Sequence, residues 1–184
     1  LAQLGHIARR SGDPHAAVAH SAEALELRRR FGDQREIAIS LMGLGTALGD
    51  AGDPARAEAL LSEARASFHA LGDRGEEASA LYHLAWIACL RGDGPAARAH
   101  LTASLDHWWR LDARGRIANW LTPLARACAE GAPAEALRLL GALRALTARA
   151  SATEQTTLIA QLRARLDPAA ATAAWEAGTG TGAA

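Results

Sequence analysis

The sequence predicts an all-α fold, a solenoid of helical hairpins that repeats every 40 residues. Three observations carry that prediction. Hydrophobic residues make up 49% of the chain and aromatics only 4%, so the core must be built chiefly from Ala and Leu, which favour helix over strand. Gly12-Asp13 returns as Gly52-Asp53 and Gly92-Asp93, 40 residues on each time. A second series keeps the same step (Phe31-Gly32-Asp33, Leu71-Gly72-Asp73, Leu111-Asp112), as do Ala17, Ala57 and Ala97.

Each junction has a local reason. Gly ends one helix in a left-handed conformation, Asp caps the next, and Pro fits its first turn. Pro14 and Pro54 follow their Gly-Asp pairs directly and Pro95 follows one residue late; the junctions at Gly32 and Gly72 work without Pro. The helices then fall at about 1–10, 14–31, 34–50, 54–71, 74–91, 95–111, 114–130 and 133–147, with two more at 152–166 and 168–177. The first carries Leu1, Leu4 and Gly5. The third carries Leu41, Leu44, Gly45 and Leu48 on one stripe, and the fourth answers with Ala57, Leu60, Leu61 and Ala64. The fifth and sixth repeat the pattern with Leu81, Leu84, Ala85 and Ala88, then Ala97, Leu101 and Ser104; the seventh has Leu121, Leu124, Ala125 and Cys128. Small residues at one register position (Gly5, Gly45, Ala85, Ala125) let paired helices approach closely. Such a hairpin cannot bury its own apolar face, so neighbouring hairpins must stack on it.

This organisation divides the chain into four hairpins over 1–148, capping helices over 149–177 and a flexible tail over 178–184. In register, residues 37–40 and 77–80 have no counterpart before Leu1, so the first hairpin reads as truncated and the chain as a piece of a longer polypeptide.

The spacing resembles the tetratricopeptide repeat. Leu1, Leu41, Leu81 and Leu121 stand where that family prefers Trp. Leu4-Gly5, Leu44-Gly45, Leu84-Ala85 and Leu124-Ala125 match its Leu-Gly pair, and Ala17, Ala57 and Ala97 match its second-helix Ala. The period of 40 exceeds the family's ~34, and Gly-Asp replaces its closing Pro. The longer period is similar to the C-terminal repeats of large LuxR-like, signal-transduction-ATPase bacterial transcriptional regulators. The endings Ala136-Leu137-Arg138-Leu139-Leu140-Gly141 and Ala173-Ala174-Trp175-Glu176-Ala177-Gly178 also resemble the ends of those chains. The resemblance implies a right-handed α-solenoid, non-catalytic, that senses or binds a partner and shares its chain with ATPase and DNA-binding modules.

Twenty basic residues, all Arg, balance twenty acidic ones, which gives no bulk electrostatic reason to bind nucleic acid or an anionic membrane directly. No apolar run approaches the ~18 residues of a membrane span and no signal peptide is visible, so a cytoplasmic location is expected. Cys89 and Cys128 sit in apolar helical patterns and read as buried free thiols. The seven His lack metal-ligand spacing, and no Cys-x-x-Cys occurs, so neither metal nor cofactor is expected. Gly43, Gly45 and Gly49 lie within a helical stripe and follow no strand, which excludes a phosphate-binding loop.

A solenoid presents a concave face lined by the first helix of each pair. Residues beside the packing stripe on those helices are the binding candidates: Arg9, Met42, Thr46, Tyr82, Trp86, Asn119 and Arg126, with His6, Arg10, Asp50, Thr122 and Glu130 beside them. Tyr82 and Trp86, four apart, share a face suited to an apolar anchor, although Trp86 also fits the space between adjacent repeats. Trp108 aligns with Phe68 and reads as core; Trp109 points elsewhere, toward Trp120; Trp175 docks the last helix on the one before it. The expected occupant is a protein, a peptide or a small effector. A stand-alone adaptor that mediates complex assembly is the alternative to the regulator, and self-association through exposed end hairpins is a further expectation.

Overall fold

The junction glycines do what the sequence asks of them. Gly12, Gly32, Gly52, Gly72 and Gly92 all hold φ between 70° and 83°. At four of them the following Asp N–H reaches the carbonyl five residues back (Asp13 to Ala8, Asp53 to Leu48, Asp73 to Phe68, Asp93 to Ala88), each at 2.9 Å. That bond closes the helix end, and the same Asp then accepts the first free N–H groups of the next helix, as Asp53 does from Arg56 at 3.1 Å and Asp93 from Ala96 at 3.0 Å.

The computed structural model describes residues 1–111, 114–146 and 152–180. They form helices α1 (Ala2–Arg10), α2 (Pro14–Phe31), α3 (Gln34–Asp50), α4 (Pro54–Ala70), α5 (Arg74–Leu90), α6 (Gly94–Arg110), α7 (Arg114–Gly131), α8 (Pro133–Leu146), α9 (Ala152–Arg165) and α10 (Pro168–Thr179). Among the described residues there is no strand: the chain is an all-α array of tetratricopeptide-like hairpins. α7 continues through Pro123 without breaking, and α10 runs on through Thr179 to a left-handed Gly180. The tail residues 181–184 lie outside the described residues. Two compact units result, one of Leu1–Ile87 with His100–His107, the other of Ala88–Ala99 with Trp108–Ala184.

In the first unit Leu41, Leu44, Leu48, Leu61, Phe68, Leu84 and Ile87 form one buried cluster. Each such side chain contributes on the order of 1.5–3 kcal/mol by leaving water. The small register position permits this: a Cβ on Gly45 would stand 2.9 Å from Leu61 Cγ and 3.2 Å from the Ala57 carbonyl oxygen. Ion pairs tie successive hairpins, Arg9 to Asp50 at 2.5 Å and Arg35 to Asp73 at 2.9 Å. Glu77, almost fully buried, accepts from Arg74 at 2.8 Å, shares a hydrogen bond with His69 at 2.9 Å and lies 4.0 Å from His107.

The second unit corrects one expectation outright. Cys89 and Cys128 are joined as a disulfide, with 4.5 Å between their Cα atoms. They stand 39 residues apart, one repeat less one residue, near the ends of successive first helices, so the stacking itself brings them together. Local apolar pattern showed their burial and hid their pairing. Close backbone contact continues beside them, where a Cβ on Gly131 would meet the Cys89 carbonyl oxygen at 2.7 Å.

The last helix, α10, packs on two others. α10 lies along α8, not chiefly on the preceding α9, because Gly141 and Gly178 let the two backbones meet: a Cβ on Gly178 would fall on the Arg138 carbonyl. The Trp175 indole itself does meet the preceding helix, receiving the Arg163 guanidinium of α9 over its face, 5.2 Å from the ring centroid. Trp108 is buried and Trp109 exposed; the Trp120 side chain lies outside the described residues. Buried Glu135 holds Arg98 at 3.2 Å and Arg138 at 3.1 Å, and Arg165 donates to the last carbonyls of α7, at 3.0 Å to Glu130.

Candidate functional site

In the first unit the first helices α1, α3 and α5 bring His6, Arg9, Met42, Gly43, Thr46 and His83 to one wall. Together with Gly5, Ser21, Ala24 and Arg28 from the first hairpin, and Ile39 and Ser40 from α3, they enclose a cavity of about 210 Å³. Register explains why it exists. The column Ser21, Leu61, Leu101 places a serine where later hairpins carry leucine, and the column Arg28, Phe68, Trp108 places arginine where they carry buried aromatics. The second hairpin fills this space with Leu61 and Phe68, both fully buried; the first does not. Gly43 keeps the wall open, since a Cβ there would meet nothing within 4 Å.

The polar groups around the cavity are firmly held. Arg28 donates to Ser40 Oγ at 2.8 Å and to the Glu36 carbonyl at 3.2 Å, and pairs with the Glu36 carboxylate at 2.7 Å. Arg9 is fixed by Asp50. Thr46 is buried, its hydroxyl donating to the Met42 carbonyl at 2.7 Å, so it lines the cavity and is absent from the open surface. Burial pushes the His83 imidazole down to about 4, and the positive charges of Arg9 and His6 push the same way, so the ring is neutral near pH 7.

Next along this face, Tyr82 and His83 meet edge-on with ring centroids 5.2 Å apart, and His83 meets Trp86 at 6.5 Å. Burial raises the Tyr82 phenol to about 12, against a smaller opposing pull from Arg9. Trp86 is half-buried on the neighbouring repeat: a Cβ on Gly49 would lie 2.6 Å from two of its ring carbons. Its role is inter-repeat packing, with only an edge left on the face. Of the predicted residues, Arg9, Met42 and Thr46 thus share the cavity, and Tyr82 and Trp86 continue its helix face. Arg126 is exposed on α7 in the second unit, and the Asn119 side chain lies outside the described residues. Local sequence reading missed Ser21, Arg28, Ser40, Gly43 and His83. The register columns held the signal for Ser21 and Arg28.

Among the described residues, no group of three or more His, Cys, Asp or Glu is placed to hold a metal ion, and no helix is long and apolar enough to cross a membrane.

Comparison with known proteins agrees with this architecture. The tetratricopeptide repeat family pattern matches residues 1–69, which span α1 to α4, the helices that supply every cavity residue but His83. No curated protein and no solved structure matches the chain.

Proposed function

We propose that the chain is a non-catalytic interaction module whose first unit captures a protein or peptide on the face formed by α1, α3 and α5. Tetratricopeptide repeats typically mediate protein–protein contacts, and the match covers the first two of the three hairpins that build this face. The observation that carries the reading is the convergence of Arg9, Met42 and Tyr82, from three successive first helices, beside an open cavity. Arg and Tyr are residues that interfaces favour, and Met adapts its shape to what it meets. A photo-crosslinking amino acid at Tyr82, compared with one at exposed Arg65 on α4, tests this in extracts of the source cells. A discrete adduct formed from position 82 and not from position 65 is the predicted result. Identical adducts from both, or none from position 82, contradict it.

The finer proposal sets this module in a bacterial transcriptional regulator, where occupancy of the face is passed to ATPase and DNA-binding modules of the same chain. The 40-residue period and the two C-terminal motifs over 136–141 and 173–178 support it by resemblance. The native polypeptide that carries the segment should then be several times heavier than 19.2 kDa. A native mass near that value replaces the regulator with the stand-alone adaptor.

A further inference from the structure

The cavity beneath the binding face has its own chemical character. Ser21 and Arg28 stand there because the first hairpin departs from the apolar packing of the later ones, while Ser40 and Gly43 come from α3 and Arg9 from α1. At about 210 Å³ it exceeds the ~150 Å³ of an engineered apolar cavity that admits benzene. Ala24, Ile39, Met42 and the glycine backbones give it an apolar body. The charged and titratable residues on its wall are His6, Arg9, Arg28 and His83, and no carboxylate lines it. Glu36 and Asp50 hold the two guanidinium groups from outside that lining, fixing their orientation while leaving further N–H donors. The wall is therefore rich in donors that have no anionic acceptor within the cavity. Burial is the main cause of the depressed His83 titration, and the charges of Arg9 and His6 add to it in the same direction.

We infer that this cavity binds a small amphipathic carboxylate, an arylacetate or short acyl acid of about ten non-hydrogen atoms, with its apolar body against Ala24, Ile39 and Met42 and its carboxylate toward the Arg9 and Arg28 donors. The inference rests on the reading of the first unit as a binding module and assigns it a small effector in addition to a macromolecular partner. An acid seated there touches α1, α2 and α3 together, and so fixes the spacing of the helices that present the face.

Phenylacetate is the probe, with phenylacetamide as its uncharged counterpart, each titrated into the full chain by calorimetry. Phenylacetate is expected to bind in the micromolar-to-millimolar range, and phenylacetamide at least tenfold more weakly. Ser21→Leu recreates in the first hairpin the Gly45–Leu61 pair that already packs in the second, so it should fold, fill the cavity and abolish binding. Gly43→Leu closes the wall from the other side, at a position where a Cβ has open space. Loss of phenylacetate binding in both variants, with their circular dichroism unchanged, supports the site. Absence of binding to the wild type, or undiminished binding to Ser21→Leu, overturns it, and equal affinity for the amide overturns the carboxylate assignment. If phenylacetate fails while crosslinking at position 82 succeeds, the effector proposal falls alone.

Discussion

Alanine at Gly43, Gly45 and Gly49 in turn probes how tightly three sites on one helix are packed. All three lie inside α3, so each substitution gains about 1 kcal/mol of intrinsic helix propensity. The surroundings then decide the sign. At Gly43 the new methyl meets nothing within 4 Å, and the gain should survive as about 0.5–1 kcal/mol of added stability. At Gly45 it stands 2.9 Å from Leu61 Cγ and 3.2 Å from a backbone oxygen, so buried Leu61 must yield and the gain is cancelled or reversed. At Gly49 it falls 2.6 Å from Ile87 Cδ1 and from two ring carbons of Trp86. Overpacking of that kind costs about 1–3 kcal/mol, which leaves Gly49→Ala destabilised by roughly 0–2 kcal/mol. Urea unfolding followed by far-ultraviolet circular dichroism reads the order, with slopes of about 1–3 kcal/mol/M turning these energies into midpoint shifts of a few tenths of a molar or more. The predicted order is Gly43→Ala above wild type, then Gly45→Ala, then Gly49→Ala. Stabilisation by Gly49→Ala equal to that by Gly43→Ala would refute the packing between α3 and α5.

Three further outcomes follow from the same structure. The disulfide closes a loop of 39 residues, so Cys89→Ser with Cys128→Ser should cost up to about 4 kcal/mol in the urea midpoint; protein denatured without reductant should take up no alkylating reagent, and detection of two free thiols contradicts the bond. His83 has a folded value near 4 against 6.5 when unfolded, so the unfolded chain takes up the proton first and stability falls as pH drops from about 6.5 to 4, by up to about 3 kcal/mol. A His83 ring resonance titrating near 6.5 in the folded protein contradicts this. Burial alone would raise Glu77, but hydrogen bonds from His69 and Arg74 and the charges of His107 and His69 outweigh it and hold the carboxyl below its usual range. Its stabilisation is present above pH 4.5 and is lost as pH falls through the lowered value; Glu77→Gln should cost about 1–2 kcal/mol at pH 7, the exposed partners limiting the effect, and should flatten the acid limb of the stability curve.

The helices were legible because their signals are local. Gly, Asp and Pro act within a few residues, which is why ten helix positions could be read to within a residue or two at most ends. The disulfide was not legible that way, since the burial of Cys89 and Cys128 is local but their proximity is a property of stacking one repeat on the next. The candidate site divides likewise. Arg9 and Met42 follow from helix faces alone, whereas the cavity comes from what Ser21 and Arg28 lack relative to Leu61 and Phe68, a comparison between repeats. Trp86 reads from spacing alone both as an anchor and as packing between repeats, because helical spacing cannot show that Gly49 on α3, in the preceding hairpin, leaves room for its ring.

The binding face is decided by the affinity of the partner captured at position 82 for the wild-type chain, Arg9→Ala, Tyr82→Ala and exposed Arg65→Ala. At least tenfold weaker binding is expected for Arg9→Ala and Tyr82→Ala, with Arg65→Ala unchanged. Equal affinities across the four proteins, or a loss confined to Arg65→Ala, would contradict a binding face on α1, α3 and α5.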